Sequence, residues 1–211
     1  MSNTREANTL RAKPLTEAQR QIIAGCLLGD GTLSWSGHHH RVRIEHEAKQ
    51  KVYVDWKFSK FKSHCLSNPQ YVPRHQSWRF GAVGLPELSL WRTEWFPQSK
   101  KEFPESWIEK IEPIALAIWF MDDGNKIHRT ISFSVHGFSQ PSVDRLERVL
   151  ALWRIKTSRQ WDGHGTRLYV LTESYPTFEG LVKPVVDEAP TMAYKLVQPR
   201  RDYTWAPVKA G

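Results

Sequence analysis

The sequence is poor in cysteine: Cys26 and Cys65 are the only two among 211 residues. Two thiols cannot build a cysteine-rich zinc site, and they fit a reduced, intracellular setting. Cys26 lies in an apolar run and reads as a small buried hydrophobe. Long hydrophobic runs are also missing. The longest, Ile22–Leu28 and Ile114–Met121, fall far short of the ~18 residues a membrane span needs, so no membrane partner is expected. Met1–Pro14 is polar and contains no apolar h-region, so no secretory signal is expected there. No HExxH, Walker, GxGxxG or GxSxG pattern occurs, which removes the commonest metalloprotease, nucleotide-binding and hydrolase signatures. Acidic residues are the scarcer charge, 22 against 30 basic ones, for a formal charge of +8. That balance favours a polyanionic partner by attraction, although many basic proteins bind no nucleic acid.

What is present is tryptophan, ten residues of it, and a hydrophobic fraction of 40%. Both argue for large buried surfaces and against disorder. Two segments look alike: Leu15-Thr-Glu-Ala-Gln-Arg-Gln-Ile-Ile-Ala-Gly-Cys-Leu-Leu-Gly-Asp-Gly31 and Ile111-Glu-Pro-Ile-Ala-Leu-Ala-Ile-Trp-Phe-Met-Asp-Asp-Gly124. Each has a helix start, an apolar run, then an acid followed by glycine. Thr16 with Gln19 predicts a capping box, and Pro113 suits a first helical position. Both helices are apolar nearly all round and should be buried. Ala24, Gly25 and Ala117 would let their backbones approach closely. Gly31 and Gly124 are expected to stop the helices.

The segments after the two helices match as well. Arg41–His46 alternates, with Arg41, Arg43 and Glu45 on one face; Arg129–His136 alternates, with Thr130, Ser132, Ser134 and His136 on one face. Amphipathic helices are predicted near Gln50–Leu66 and Gln140–Trp153. Strands are predicted near Ser77–Val83 and Arg167–Thr172, and Pro-led segments begin at Pro86 and Pro176. Lys101 lies 71 positions after Asp30 (101 − 30), and Lys195 lies 72 after Asp123 (195 − 123). The chain is therefore a duplication, with halves at 15–104 and 105–196 and tails at 1–14 and 197–211.

The repeated placement singles out candidates for chemistry. Asp30 and Asp123, each ending a buried helix, would bring two carboxylates near a pseudo-twofold axis. Hard divalent cations take such oxygens and could activate water at a phosphodiester. As loop residues the two acids would be idle, but the same placement occurs twice. Lys101 and Lys195 could neutralise phosphate; Lys100 is an alternative that spacing does not exclude. Arg41, Arg43, Lys126, Arg129, Arg159 and Arg167 lie on or beside strand patterns, where a ribbon could read a DNA groove. His38, His39 and His40, beside Ser36-Gly37, read as a solvated hairpin turn rather than a metal site.

The segments Ile23-Ala-Gly-Cys-Leu-Leu-Gly-Asp-Gly31 and Leu116-Ala-Ile-Trp-Phe-Met-Asp-Asp-Gly124 resemble the paired signature motifs of LAGLIDADG homing endonucleases. Trp119–Gly124, Lys100-Lys101 with Pro104, and Ala193-Tyr-Lys-Leu196 are similar to the yeast mitochondrial intron endonuclease branch. The resemblance spans about Leu15 to Leu196. It implies an α+β fold of two αββαββα halves with packed motif helices and DNA-binding antiparallel sheets. It also implies Mg²⁺ (or Mn²⁺) at Asp30 and Asp123, with the carbonyls of Gly29 and Asp122, and Lys101 and Lys195 as basic active-site residues. Glu45 and Ser134 match peripheral pocket positions. The implied partner is double-stranded DNA with a long asymmetric target, cut to leave short 3′ overhangs by a monomer. The implied compartment is an organelle or the bacterial cytoplasm. An RNA-binding maturase acting on intron RNA is the rival reading, and a non-catalytic DNA-binding regulator a third. Leu28 and Met121 stand where the motif usually has Asp. Ile118 replaces a motif glycine, so the helix interface should be asymmetric.

Overall fold

The computed structural model describes residues 4–197. Its first half runs α1 (Arg5–Arg11), α2 (Glu17–Leu28), β1 (Leu33–Trp35), β2 (His40–Glu47), α3 (Lys51–Phe61), β3 (Gln70–Val72), β4 (Ser77–Gly81) and α4 (Pro86–Trp95). The second runs α5 (Pro113–Asp123), β5 (Gly124–Ile127), β6 (Thr130–Ser134), α6 (Gln140–Leu152), β7 (Thr157–Trp161), β8 (Thr166–Val170) and α7 (Tyr175–Glu188). The fold is α+β. Two four-stranded antiparallel sheets repeat one topology, β1-β2-β4-β3 and β5-β6-β8-β7. Among the described residues no helix is long and apolar enough to cross a membrane.

The motif helices α2 and α5 form the centre. The Thr16 hydroxyl accepts from the Gln19 amide at 3.2 Å, and Gln19 Oε1 accepts from the Thr16 amide at 2.9 Å, closing the predicted capping box. Pro113 opens α5. Every residue from Ala115 to Met121 is buried, as is every residue of α2 from Gln21 onward. The two backbones meet at Gly25. A Cβ there would lie 2.5 Å from Ile118 Cβ and 2.6 Å from the Ala115 carbonyl oxygen. The glycine of one motif thus receives the isoleucine of the other, which is the asymmetry the sequence predicts.

Each sheet buries one face against this centre. Ile44 pairs with Phe80 across β2 and β4, and Phe133 with Leu168 across β6 and β8; all four are buried. Trp119 stacks on Phe133 with ring centroids 4.0 Å apart, and Phe178 of α7 meets both Phe120 and Phe133 edge-on. Helices α3 and α6 cover equivalent places. The buried positions 53, 54, 57 and 61 of α3 recur as 142, 143, 146 and 150 of α6.

Three features depart from the sequence reading. The first tail contains a helix, α1, capped by Thr4 and docked through Ala7 and an Arg11 Nε bond to the Gly84 carbonyl. Gly124 does not end the helix in a loop: it is extended and begins β5 directly. Ser132, placed on a polar face, is fully buried. Of the second tail, Val197 is held by a bond from its amide to the Tyr175 hydroxyl, and 198–211 lie outside the described residues.

Candidate active site at the motif helix ends

The ends of α2 and α5 lie side by side. A Cβ added to Gly29 would stand 3.2 Å from Asp122 Cβ and 3.4 Å from Asp123 Cβ. Asp30 comes directly after Gly29 and is exposed; Asp123 is half-buried. Burial first, and then the Asp30 charge, push the Asp123 carboxyl up to about 6, although Lys101, Lys195 and Arg167 act against this. The two carboxylates are therefore close enough to repel, as two acids sharing one site do.

The lysines occupy matching positions. Lys101 Nζ donates to the Gly29 carbonyl and, at 3.4 Å, to that of Leu28, and it lies 4.5 Å from the Phe138 ring centroid. Lys195 Nζ donates to the carbonyls of Phe120 and Asp122, each at 3.4 Å. These carbonyls lie at helix C-termini, where backbone donors run out and the helix dipole attracts cations; that of Phe120 also accepts from the Gly124 amide. Each lysine thus sits on its own half's motif helix. Lys100 is exposed, and Lys101 makes the contact. Burial lowers Lys101 to about 8, with Asp123 and Asp30 opposing; burial also lowers Lys195.

Behind Asp123 lies a buried group that sequence reasoning missed. The Asp122 carboxylate turns away from the helix ends into the first half. There it accepts from Lys57 Nζ at 2.8 and 2.9 Å and from the Tyr53 hydroxyl at 2.8 Å. Lys57, fully buried, also donates to His46 Nε2 at 3.1 Å and approaches Cys26 Sγ at 3.5 Å. Burial pulls His46 down to about 4, so it is neutral at pH 7 and can accept. Burial also raises the Cys26 thiol to about 12, leaving it protonated. Burial, the largest single influence, works to raise Asp122 too, but the surrounding charge, that of Lys57 first, and the hydrogen bonds from Lys57 and Tyr53 together hold the carboxyl below its ordinary value. The available signal is a lysine on the buried stripe 53, 54, 57, 61 of α3; lysine is almost never fully buried unless paired.

Residues 20–178 match the model of the LAGLIDADG DNA endonuclease family. The chain belongs to that family. It is 30% identical over 206 residues to a RecA protein of Mycolicibacterium chitae, covering 87% of this chain and 47% of that one. It is 26% identical to the cytochrome b mRNA maturase bI2 of Debaryomyces hansenii, covering 87% of this chain and 75% of that protein. The chain spans less than half the length of the RecA relatives it matches. Among solved structures, the homing endonuclease I-WcaI bound to its DNA recognition sequence shares the fold, with a TM-score of 0.81 and 20% identity over 94% of this chain and 95% of that one. I-DmoI in complex with DNA and Mn shares it with a TM-score of 0.54 and 12% identity, over 79% and 96%.

In this LAGLIDADG chain the remaining candidates divide between two faces. Arg41, Arg43 and Glu45 share the open face of the first sheet with Arg79, which pairs with Glu45 across β2 and β4. Arg41 is lowered by burial and by its neighbours Arg43 and Arg79, so the three cations crowd one another. Glu45 accepts from Ser77 at 2.5 Å and pairs with His75 at 2.8 Å. Together with Asp30, Arg43, His46, Lys57 and Asp122, Glu45 lines a cavity of about 340 Å³. In the second sheet Ser134 and Arg167 are cross-strand partners on the open face, and Arg167 Nε is tied to Asp162.

Contrary to the sequence reading, Arg159 and Lys126 lie on the other face. Their cross-strand partners are the buried residues Leu168 and Ile131, which gives both that face of the second sheet, although Lys126 itself is exposed. Arg159 there bonds Asp144 and Glu147 of α6, each at 2.5 Å. Arg129 lies in the tight turn between β5 and β6 and is exposed. Alternation along one strand does not tell which strands pair, and pairing decides the face. Arg79 alternates with Trp78 and Phe80 and so lies on a polar strand face with Ser77, but only pairing with Glu45 places it beside Arg41 and Arg43.

The donor set fits a hard cation. Two carboxylates and the carbonyls of Gly29 and Asp122 belong to the adjoining helix ends, and all are oxygen donors. Among the described residues no group of three or more His, Cys, Asp or Glu side chains gathers. A cation held by few carboxylates and completed by water and phosphate oxygen is the arrangement Mg²⁺ prefers.

Proposed function

We propose that this chain is a site-specific double-strand DNA endonuclease that requires a divalent cation, Mg²⁺ or Mn²⁺, and acts as a monomer. The observation that carries the proposal is the pairing of two carboxylates at adjoining helix ends, each end with its own lysine. A bound cation would supply a lowered water pKa and stabilise the leaving oxygen. Asp30 and Asp123 would each hold a cation, one at each of two sites, aided by the Gly29 and Asp122 carbonyls. Lys101 and Lys195 would place positive charge where phosphate negative charge develops. At pH 7 Lys101, held near 8, remains mostly protonated and able to do so. Arg41, Arg43 and Arg79 would hold the DNA over the first sheet, and the largely uncharged face of the second, with Ser134 and Arg167, would contact the other half of a long asymmetric target. Glu45 would orient groups at the edge of the cavity beside Asp30. The product would carry short 3′ overhangs, and the setting would be intracellular.

The test is a cleavage selection from a randomised DNA library with Mg²⁺. Recovery of one asymmetric target, cut in both strands and protected by EDTA, is expected. Absence of any cut sequence, together with tight binding to structured intron RNA, would instead establish the maturase reading. That second reading is favoured by the similarity to the Debaryomyces hansenii maturase over most of this chain.

A further inference from the structure

The two helix ends are not equivalent, and the difference lies in one buried ion pair. In the first motif the position before the terminal acid is Gly29, with no side chain. In the second it is Asp122, whose carboxylate reaches across into the first half and is gripped by Lys57 and Tyr53, with the neutral His46 3.7 Å away. Among the described residues the second half has no counterpart. At its equivalent buried positions on α6, Leu146 stands for Lys57 and Ser142 for Tyr53. Ser142 is occupied elsewhere, donating to Glu102 and accepting from the Phe103 amide.

Residue 122 is thereby held from two sides. Its carboxylate is fixed by Lys57, while its carbonyl oxygen accepts from Lys195 Nζ at 3.4 Å. The peptide between these points leads directly into Asp123. Gly29 supplies the room: even a methyl there would press on Asp122 Cβ at 3.2 Å. In the first half, by contrast, Asp30 comes after a glycine and is exposed, with the Lys101 bond to the Gly29 carbonyl beside it.

We propose that Lys57 is a positioning residue for one of the two sites only: by anchoring the Asp122 side chain it sets the placement of the Asp122 carbonyl and Asp123, and so governs cutting of one DNA strand but not the other. The proposal rests on the endonuclease reading above. Lys57 touches neither DNA nor reacting atoms; it acts through Asp122. A buried pair that only held the two halves together would instead affect both strands through stability.

The experiment compares wild type, Lys57→Met and Lys57→Met/Asp122→Asn on the selected target duplex, with each strand labelled separately under single-turnover conditions. The strand served by Asp123 is assigned beforehand from the nicking pattern of Asp123→Asn. In Lys57→Met that strand should be cut between roughly 10- and 100-fold more slowly, the scale of a misplaced catalytic group. The other strand and the affinity for uncut duplex should stay close to wild type. Amide exchange across residues 120–125 of the metal-free protein should rise. The double variant leaves no unpaired buried charge and keeps an acceptor for Tyr53. It should regain thermal stability while keeping the strand-selective defect, and it carries the test if Lys57→Met does not fold. Equal slowing of both strands, or a defect that vanishes as stability returns, would overturn the proposal. A wild-type protein that cuts neither strand would mark failure of the endonuclease reading instead.

Discussion

Burial favours the neutral forms of both Asp123 and Lys101, and at Asp123 the cost of the charge can be measured. The Asp123 carboxyl is raised to about 6, so the folded protein binds this proton more tightly than the unfolded chain does. Stability from this group is therefore full at low pH, declines between about pH 4 and 6, and stays lower above that. Asp123→Asn should stabilise the metal-free protein at pH 7 by up to about 2 kcal/mol, and by little at pH 4. Paired unfolding curves at the two pH values check this; equal effects at both would show that repulsion from Asp30 and burial do not act on Asp123. The two aspartates are legible in the sequence because each ends an apolar run, twice over. Lys57 is not, because a single lysine in a helix defaults to a solvated one. Its burial depends on Asp122, which is distant in sequence.

Between α2 and α5 the close approach at Gly25 makes a sharp prediction. Gly25→Ala should destabilise the protein by about 1–3 kcal/mol through overpacking against Ile118 and the Ala115 carbonyl. Gly180→Ala, in α7 with nothing within 4 Å of the new methyl, should instead stabilise by about 0.5–1 kcal/mol. Denaturant unfolding of the two variants measures both signs, and a neutral Gly25→Ala would contradict the packing. The helices α3 and α6 and the strands β2, β4, β6 and β8 are readable because each has one covered face and hence a period, and α2 and α5 because each is an apolar run behind a helix-start signal, buried nearly all round. The outer strands β1, β3, β5 and β7 are not. They are three to five residues long, lie at sheet edges and owe their state to pairing. The direct passage from α5 into β5 is hidden because Gly124 suits a helix stop as well as an extended residue.

Across the whole molecule the duplication is legible from the Asp-to-Lys spacing, whereas the inequality of the halves emerges from cross-strand register and buried pairing. Arg41, Arg43 and Arg79 crowd the open face of the first sheet, while Arg159 is spent on Asp144 and Glu147 and Arg167 on Asp162. Arg43→Ala should therefore weaken binding to the target duplex and lower the slope of log affinity against log salt by about 0.9 for a single lost phosphate contact. Arg159→Ala should leave that slope unchanged and cost up to about 1 kcal/mol of folding stability, as partly exposed pairs do. A fall in slope for Arg159→Ala would place its guanidinium on the DNA side. The central claim, that one chain holds two cation-dependent sites built on Asp30 and Asp123, is tested most directly by strand-resolved cleavage of the selected duplex in Mg²⁺ by wild type, Asp30→Asn and Asp123→Asn. The account predicts two cuts for wild type and no double-strand break for either variant, with duplex binding retained by both. Double-strand cutting at wild-type rate by both variants would contradict it.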